Sequence, residues 1–338
     1  LPNKSFRRFL NITQLMIFSN NQEYDNANRV PVQGAFYACI GKEKAFFNVF
    51  HEEDEKFGQK YPYQDVSENT EKLILKHRNC VSLKCHPEYA TNCKVTTPTN
   101  RILTSLLSKE RLLFLLRYGF AYVEKTVEKD NGEKIKTLEK HVMRYQQLFA
   151  SFAIRKKLDE DVKSGIIWHT QGSGKTALAY YSVKSLTDYF AKKSIPAKFY
   201  FIVDRIDLMK QARDEFVARG LVVHTVEDRV QRMADIKNTQ LVKSADGRLE
   251  ITVVNIQKFA EDKAPVDISA GYNTNLQRVF FIDEAHRGYN PEGAFLANLL
   301  SADKHAVKLA LTGTPLLREE RESWRVFGDY IHTYYYDK

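Results

Sequence analysis

Gly165-Ile166-Ile167-Trp168-His169-Thr170-Gln171-Gly172-Ser173-Gly174-Lys175-Thr176 is the stretch on which the reading of the whole chain turns. A short apolar run leads into a glycine-bearing turn. A helix-forming stretch, Ala177 to Phe190, follows it. Strand, tight loop and helix are the setting in which a phosphate-binding loop works. Backbone N–H groups of such a loop point at phosphate oxygens, and the N-terminus of the next helix adds positive partial charge. Gly172 and Gly174 let the backbone approach a ligand closely, with Ser173 between them in the cradle. Lys175 is expected against the β- and γ-phosphates, and Thr176 on Mg²⁺. The full motif opens with Gly six residues before the Lys, and here that place is His169. The competing reading is a strand-to-helix turn followed by an ordinary surface lysine. The strand before and the helix after favour the phosphate loop.

Outward from this loop, the chain has 338 residues, more than one compact domain usually holds, so two units are expected. Hydrophobic residues make up 43% and charged ones 28%, which suits a globular chain with ample core. The net charge of +9 is compatible with a polyanionic partner. No apolar run reaches the length of a membrane span, and nothing at the start reads as a signal peptide. Leu1-Pro2 without Met reads as a trimmed start or one inside a longer protein. Four cysteines in a chain of this length do not make a disulfide scaffold, so a reducing cytoplasm is expected.

The part before residue 120 reads as α+β. Leu15 to Phe18 is a strand run. Ala35 to Ile40 and Ala45 to Phe50 look paired across Gly41-Lys42-Glu43-Lys44. Glu52 to Glu55 form an acidic cluster, for which a solvated loop is preferred over a site for a hard cation. Leu103, Leu106, Leu107, Leu112, Leu113, Leu115 and Leu116 recur at near-helical spacing and predict one helix over 103–118. His77, Cys80, Cys85, His86 and Cys93 lack a close Cys-x-x-Cys pair, so ordinary thiols are preferred over zinc. Residues 122 to 140, with Asn131-Gly132, predict a connection or hairpin.

From Arg144 helix and strand alternate. Helices are expected near 144–158, 175–190 and 206–218. Strands are expected near 166–168, 199–203, 221–226, 251–255, 279–282 and 307–311. Ile, Val, Phe and Leu dominate these strands without polar alternation, the mark of a parallel sheet covered on both faces. Ligands of such sheets lie at the carboxyl ends of the strands. Val279-Phe280-Phe281-Ile282 delivers Asp283 and Glu284 to one such end. Asp283 is expected to bind Mg²⁺ opposite Thr176, and Glu284 to orient or polarise the attacking water. Thr312-Gly313-Thr314-Pro315 ends another strand. Its two hydroxyls are placed to contact the Asp-Glu loop and report the nucleotide state.

Gly172 to Thr176, Asp283-Glu284-Ala285-His286 and Thr312 to Pro315 resemble motifs I, II and III of superfamily 2 helicases and translocases. Arg144-Tyr145-Gln146-Gln147-Leu148-Phe149-Ala150 resembles the segment that reads adenine in that superfamily, with Gln147 the matching residue. Asp204-Arg205 with Leu208 and Gln211, and Val253 to Phe259 with Lys258, resemble segments beside the nucleic-acid track. More narrowly, Trp168 to Thr176, Asp283 to Arg287 and Phe9-Leu10-Asn11-Ile12-Thr13-Gln14 are similar to HsdR, the motor subunit of type I restriction enzymes.

The resemblance implies a RecA-like α/β fold with helices on both faces of a parallel sheet over 123–338. Residues 1–122 would form the C-terminal part of a nuclease-like α+β domain with a helical tail. It implies ATP and Mg²⁺ as ligands and double-stranded DNA as the track, at Arg205, Gln211 and Lys258. Partners would be methyltransferase and specificity subunits, with no membrane. The activity implied is ATP-driven translocation of DNA before cleavage. The chain carries no convincing Glu-x-Lys nuclease strand and no second RecA-like domain with its arginine finger. Residues 1–120 are therefore expected to follow a nuclease active site, and the isolated chain to turn ATP over poorly. Two other readings stand beside this one: another DNA or RNA helicase of the superfamily, and a nucleotide-binding module inactive alone.

Overall fold

The computed structural model describes residues 8–9, 12–23, 34–39, 46–53, 56, 60–128, 132–226, 247–255, 275–284, 303–314 and 327–335. The chain divides into two compact units, residues 1–120 with 139–145, and residues 121–138 with 146–338.

The first unit begins with β1 (Met16–Ser19), β2 (Ala35–Ala38) and β3 (Asn48–Val49), an antiparallel sheet in that order. Phe36 pairs with Val49, the pairing expected of these two runs. Helix α1 (Glu68–His77) starts where the Ser67 hydroxyl accepts a hydrogen bond from the Thr70 N–H, an N-cap that satisfies one orphan donor.

Two expectations fail in this unit. The leucine-rich stretch is not one helix. Arg101–Leu106 forms a π-helical turn, and α2 (Lys109–Tyr118) starts anew after Ser108. Leu103, Leu113 and Leu116 remain exposed, so spacing alone overstated the apolar face. Nor is Glu52 part of a solvated loop. Its carboxylate accepts from Arg111 Nη1 at 2.9 Å, from the Tyr63 hydroxyl at 3.0 Å and from the Ser105 hydroxyl. The Arg111 guanidinium lies 5.6 Å from the centre of the Tyr61 ring. This buried polar hub holds Ser105 and Arg111 on either side of the break, which the leucine pattern does not show. Cys39, Cys80, Cys85 and Cys93 are free thiols. Among the described residues no three His, Cys, Asp or Glu side chains are grouped to hold a metal.

β4 (Phe120–Glu128) and β5 (Lys134–Val142) pair as a two-stranded sheet, with Gly132 at φ +79° in the turn. Helix α3 (Tyr145–Asp159) follows.

The second unit is built on β6 (Ser164–His169), β7 (Ala197–Val203), β8 (Val222–Val226), β9 (Glu250–Asn255), β10 (Gln277–Asp283), β11 (Val307–Thr312) and β12 (Tyr330–Tyr334). They form one parallel sheet in the order β12-β6-β11-β10-β7-β9-β8. Helix α4 (Lys175–Ala191) packs on β7 and β10, and α5 (Ile206–Ala218) on β7, β8 and β9. This is the RecA-like α/β architecture. Ile166, Ile167, Phe201, Val253, Val279, Phe281 and Leu311 are fully enclosed. Each such side chain contributes roughly 1.5–3 kcal/mol on leaving water. Burial on both faces is why these strands read as unbroken apolar runs. Among the described residues no helix is long and apolar enough to cross a membrane.

The register positions the site. Trp168 lies beside Thr312, Asp283 beside Leu311, and Ile282 beside Ile202. The residues that follow β6, β11, β10 and β7 therefore leave the sheet on one edge. β6 and β7 are consecutive in sequence but have β11 and β10 between them, so α4 must cross over both. Loops from separated strands then meet at the carboxyl ends.

Candidate functional site

The glycine turn after β6 delivers its lysine to the tips of β10 and β11. Gly174 caps α4 in a left-handed conformation, φ +85°, which a side chain would strain. Lys175, the first residue of α4, has its Nζ 3.5 Å from Glu284 Oε1. A methyl group on Gly313 would stand 3.2 Å from Lys175 Nζ, 3.6 Å from the Gln171 amide nitrogen and 3.8 Å from Glu284 Oε1. Phosphate-loop lysine, Asp-Glu pair and Thr-Gly-Thr turn thus share one place. Their convergence is observed among side chains, not read from order alone.

The electrostatics are those of a site prepared for cations and anions together. Burial pushes the Asp283 carboxyl up to about 6, with Glu284 and Asp204 adding repulsion and Lys175 opposing the rise. The Glu284 N–H donates to Asp283 Oδ1 at 3.1 Å, and Glu284 itself sits at φ +49°. A non-glycine residue held there costs about 1–3 kcal/mol, a strain that concentrates at working sites. Among the described residues, the buried hydroxyls of Ser173 and Thr170 have no hydrogen-bond partner. Unsatisfied loop donors, a lysine countered by a carboxylate and a buried acid suit a phosphate with its cation. Thr176 lies on the first turn of α4, and Asp283 ends β10.

The remaining expected residues are placed as follows. Gln147 lies buried on α3, and its amide Nε2 donates to the carbonyls of Gly174 at 3.0 Å and Ser173 at 3.4 Å. Thr312 donates through its hydroxyl to the Thr314 carbonyl at 2.8 Å and accepts from the Thr314 N–H at 3.3 Å, folding the turn on itself. A side chain on Gly313 would meet the lysine, and the sequence did not single this residue out. Arg205 and Gln211 are exposed, at the start and within α5. Lys258 lies outside the described residues, as do Ala285, His286, Arg287 and Pro315.

His169 replaces the expected glycine for a structural reason. Its Nε2 is 2.7 Å from Nδ1 of His332 on β12, and both rings are buried. The Thr170 N–H also donates to the Tyr334 carbonyl at 3.2 Å. The start of the loop is thereby tied to the neighbouring strand. Burial holds His169 well below the ordinary histidine range, helped by His332 and Lys175. No sequence signal pointed to His332, because the partners are far apart in the chain and β12 does not read as a core strand.

A parallel sheet whose strand tips gather a glycine loop, a lysine and an acidic pair defines the RecA-like class of nucleotide-dependent domains. Within that class, residues 146–338 match the family model of the SWI2/SNF2 ATPase, more than half of the chain, and the chain belongs to that family. It is related to type I restriction endonuclease subunits. The SauCOLORF180P subunit of Staphylococcus aureus is 33% identical over 203 residues, which are 57% of this chain and 20% of that protein. A Methanocaldococcus jannaschii protein, provisionally named as the MjaIXP type I restriction enzyme endonuclease subunit, is 33% identical over 181 residues, 53% of this chain and 16% of its own length. The chain thus spans about a fifth or less of the curated relatives it matches. The Sulfolobus solfataricus SWI2/SNF2 ATPase core in complex with dsDNA is similar at 17% identity and a TM-score of 0.36, covering 55% of this chain and 35% of that one.

Proposed function

We propose that this chain is the first motor domain, with the preceding tail of a nuclease-like domain, of the restriction subunit of a type I restriction enzyme. Its reaction is hydrolysis of ATP coupled to movement along double-stranded DNA. The observation that carries this reading is the meeting of Lys175, Glu284 and Gly313 at the tips of β6, β10 and β11.

In the proposed reaction Lys175 exchanges Glu284 for the β- and γ-phosphates, and the loop N–H groups from Gly172 to Lys175 hold the phosphate oxygens. Glu284, released from the lysine, orients the attacking water and takes its proton. Thr176 and Asp283 hold Mg²⁺, which when bound neutralises charge building on the phosphates. Thr312 and Thr314 set the turn whose Gly313, lacking a side chain, leaves room for lysine and glutamate beside it, so a change there is felt at motif III. Arg205, Gln211 and Lys258 are assigned to the DNA backbone, where cations and amides position a duplex without reading its sequence. Methyltransferase and specificity subunits would supply target recognition, and the setting would be the cytoplasm.

The test is triplex displacement with the intact restriction complex. Lys175→Ala is expected to abolish ATP-driven displacement with the fold intact, because Lys175 contributes charge to the site and no core packing. An unchanged displacement rate would overturn the assignment. Stimulation of ATP hydrolysis by duplex DNA but not by RNA is expected, and the reverse would favour an RNA motor.

A further inference from the structure

The resemblance gives Gln147 to adenine, yet in this structure its amide nitrogen is engaged on the phosphate loop itself. A carbonyl oxygen accepts only from a donor, so the NH₂ end of the amide must be the one facing Ser173 and Gly174. Reading adenine through a paired donor and acceptor would need that nitrogen freed. The contact is close: a methyl group on Gly174 would lie 2.5 Å from Gln147 Nε2. Gln147 is only 4% exposed, and within its own helix the Ser151 hydroxyl donates to the Gln147 carbonyl at 2.8 Å. Gly174 lacks a side-chain cap, and its left-handed turn sets the direction of the N–H groups that follow.

We propose that Gln147 is a positioning residue that clamps the Ser173-Gly174 turn and so pre-orders the phosphate cradle, independently of which base the nucleotide carries. This rests on the nucleotide-site reading. Its physical content is preorganisation: two amide-to-carbonyl bonds fix the loop before the ligand arrives, so less ordering remains to be done on binding. Base identity would then be read elsewhere, or little.

The experiment titrates the chain with three magnesium complexes, of ATP, of GTP and of inorganic tripolyphosphate, which has no base. Gln147→Ala and Gln147→Glu are compared with the unaltered chain by calorimetry. Gln147→Glu keeps the shape and helix but sets a carboxylate against two carbonyls. Both variants are expected to weaken all three ligands by the same factor, about tenfold. The ratio of ATP to GTP affinity and the binding stoichiometry should stay unchanged. Faster amide exchange over residues 172–176 should accompany the loss. Should tripolyphosphate bind the variants as it binds the unaltered chain while ATP loses its advantage over GTP, Gln147 is an adenine reader and the clamp is wrong. Loss of stoichiometry at unchanged affinity would also overturn it, since that marks general misfolding. If the unaltered chain binds none of the three, the nucleotide site itself fails, which is a separate and recognisable outcome.

Discussion

At the scale of the residue, Asp283 carries a charge that its buried surroundings disfavour. Its carboxyl is buried and pushed up to about 6, against an ordinary value of 3.8. The raised pKa favours the folded chain below pH 4, and this contribution is lost as pH rises through about 6. At pH 8 the ionised group is a burden unless a cation joins it. Asp283→Asn keeps an acceptor for the Glu284 N–H and removes the buried charge. The variant is expected to be more stable than the unaltered chain at pH 8, by about 1–2 kcal/mol in urea unfolding, and unable to bind Mg²⁺ with nucleotide. Equal or lower stability would contradict this account of the carboxylate. His169 gives the opposite pH dependence. Burial lowers its pKa from 6.5, so below pH 6.5 the unfolded chain takes a proton that the folded chain refuses. Its contribution is intact above pH 6.5 and falls on acidification, by up to about 1.4 kcal/mol per pH unit from this group. His169→Gln should flatten the slope between pH 6.5 and 5.5, and an unaltered slope would show that His169 does not titrate as argued.

At the scale of the element, the strands that carry the site were legible because each is buried on both faces. Val279 to Ile282 and Leu309 to Leu311 contain no polar residue to confuse the pattern, and the chemistry begins where the apolar run stops. β12 was not legible. Tyr330, His332, Thr333 and Tyr334 mix polar and aromatic groups at the sheet's edge, and the strand makes sense only beside its partner His169. The Leu103 to Tyr118 stretch misled for a related reason. Periodicity counts leucines, whereas the break is fixed by Ser105 and Arg111 meeting Glu52, some 50 residues earlier in the chain. That hub makes a specific expectation. Arg111→Ala leaves the buried Glu52 carboxylate without its cation, and the first unit should lose about 3–5 kcal/mol. Replacing both Arg111 and Glu52 by Met and Gln should cost clearly less. Chemical unfolding of the two variants checks this, and a double variant as unstable as Arg111→Ala would argue that the ion pair is not the stabilising feature.

At the scale of the whole molecule, the parallel sheet and the match to SWI2/SNF2 ATPases agree on a RecA-like ATPase domain. The proposed roles of Thr176 and Asp283 toward Mg²⁺, and of Arg205, Gln211 and Lys258 toward DNA, rest on residue chemistry and on the resemblance. The measurement that bears most directly on the central claim is calorimetric titration of the chain with MgATP, set against Lys175→Ala. A single saturable site in the unaltered chain, weakened at least tenfold by the substitution with the fold preserved, is the predicted result. Equal affinity in the two, or no binding by the unaltered chain, would contradict the claim that these three strand tips form one triphosphate pocket.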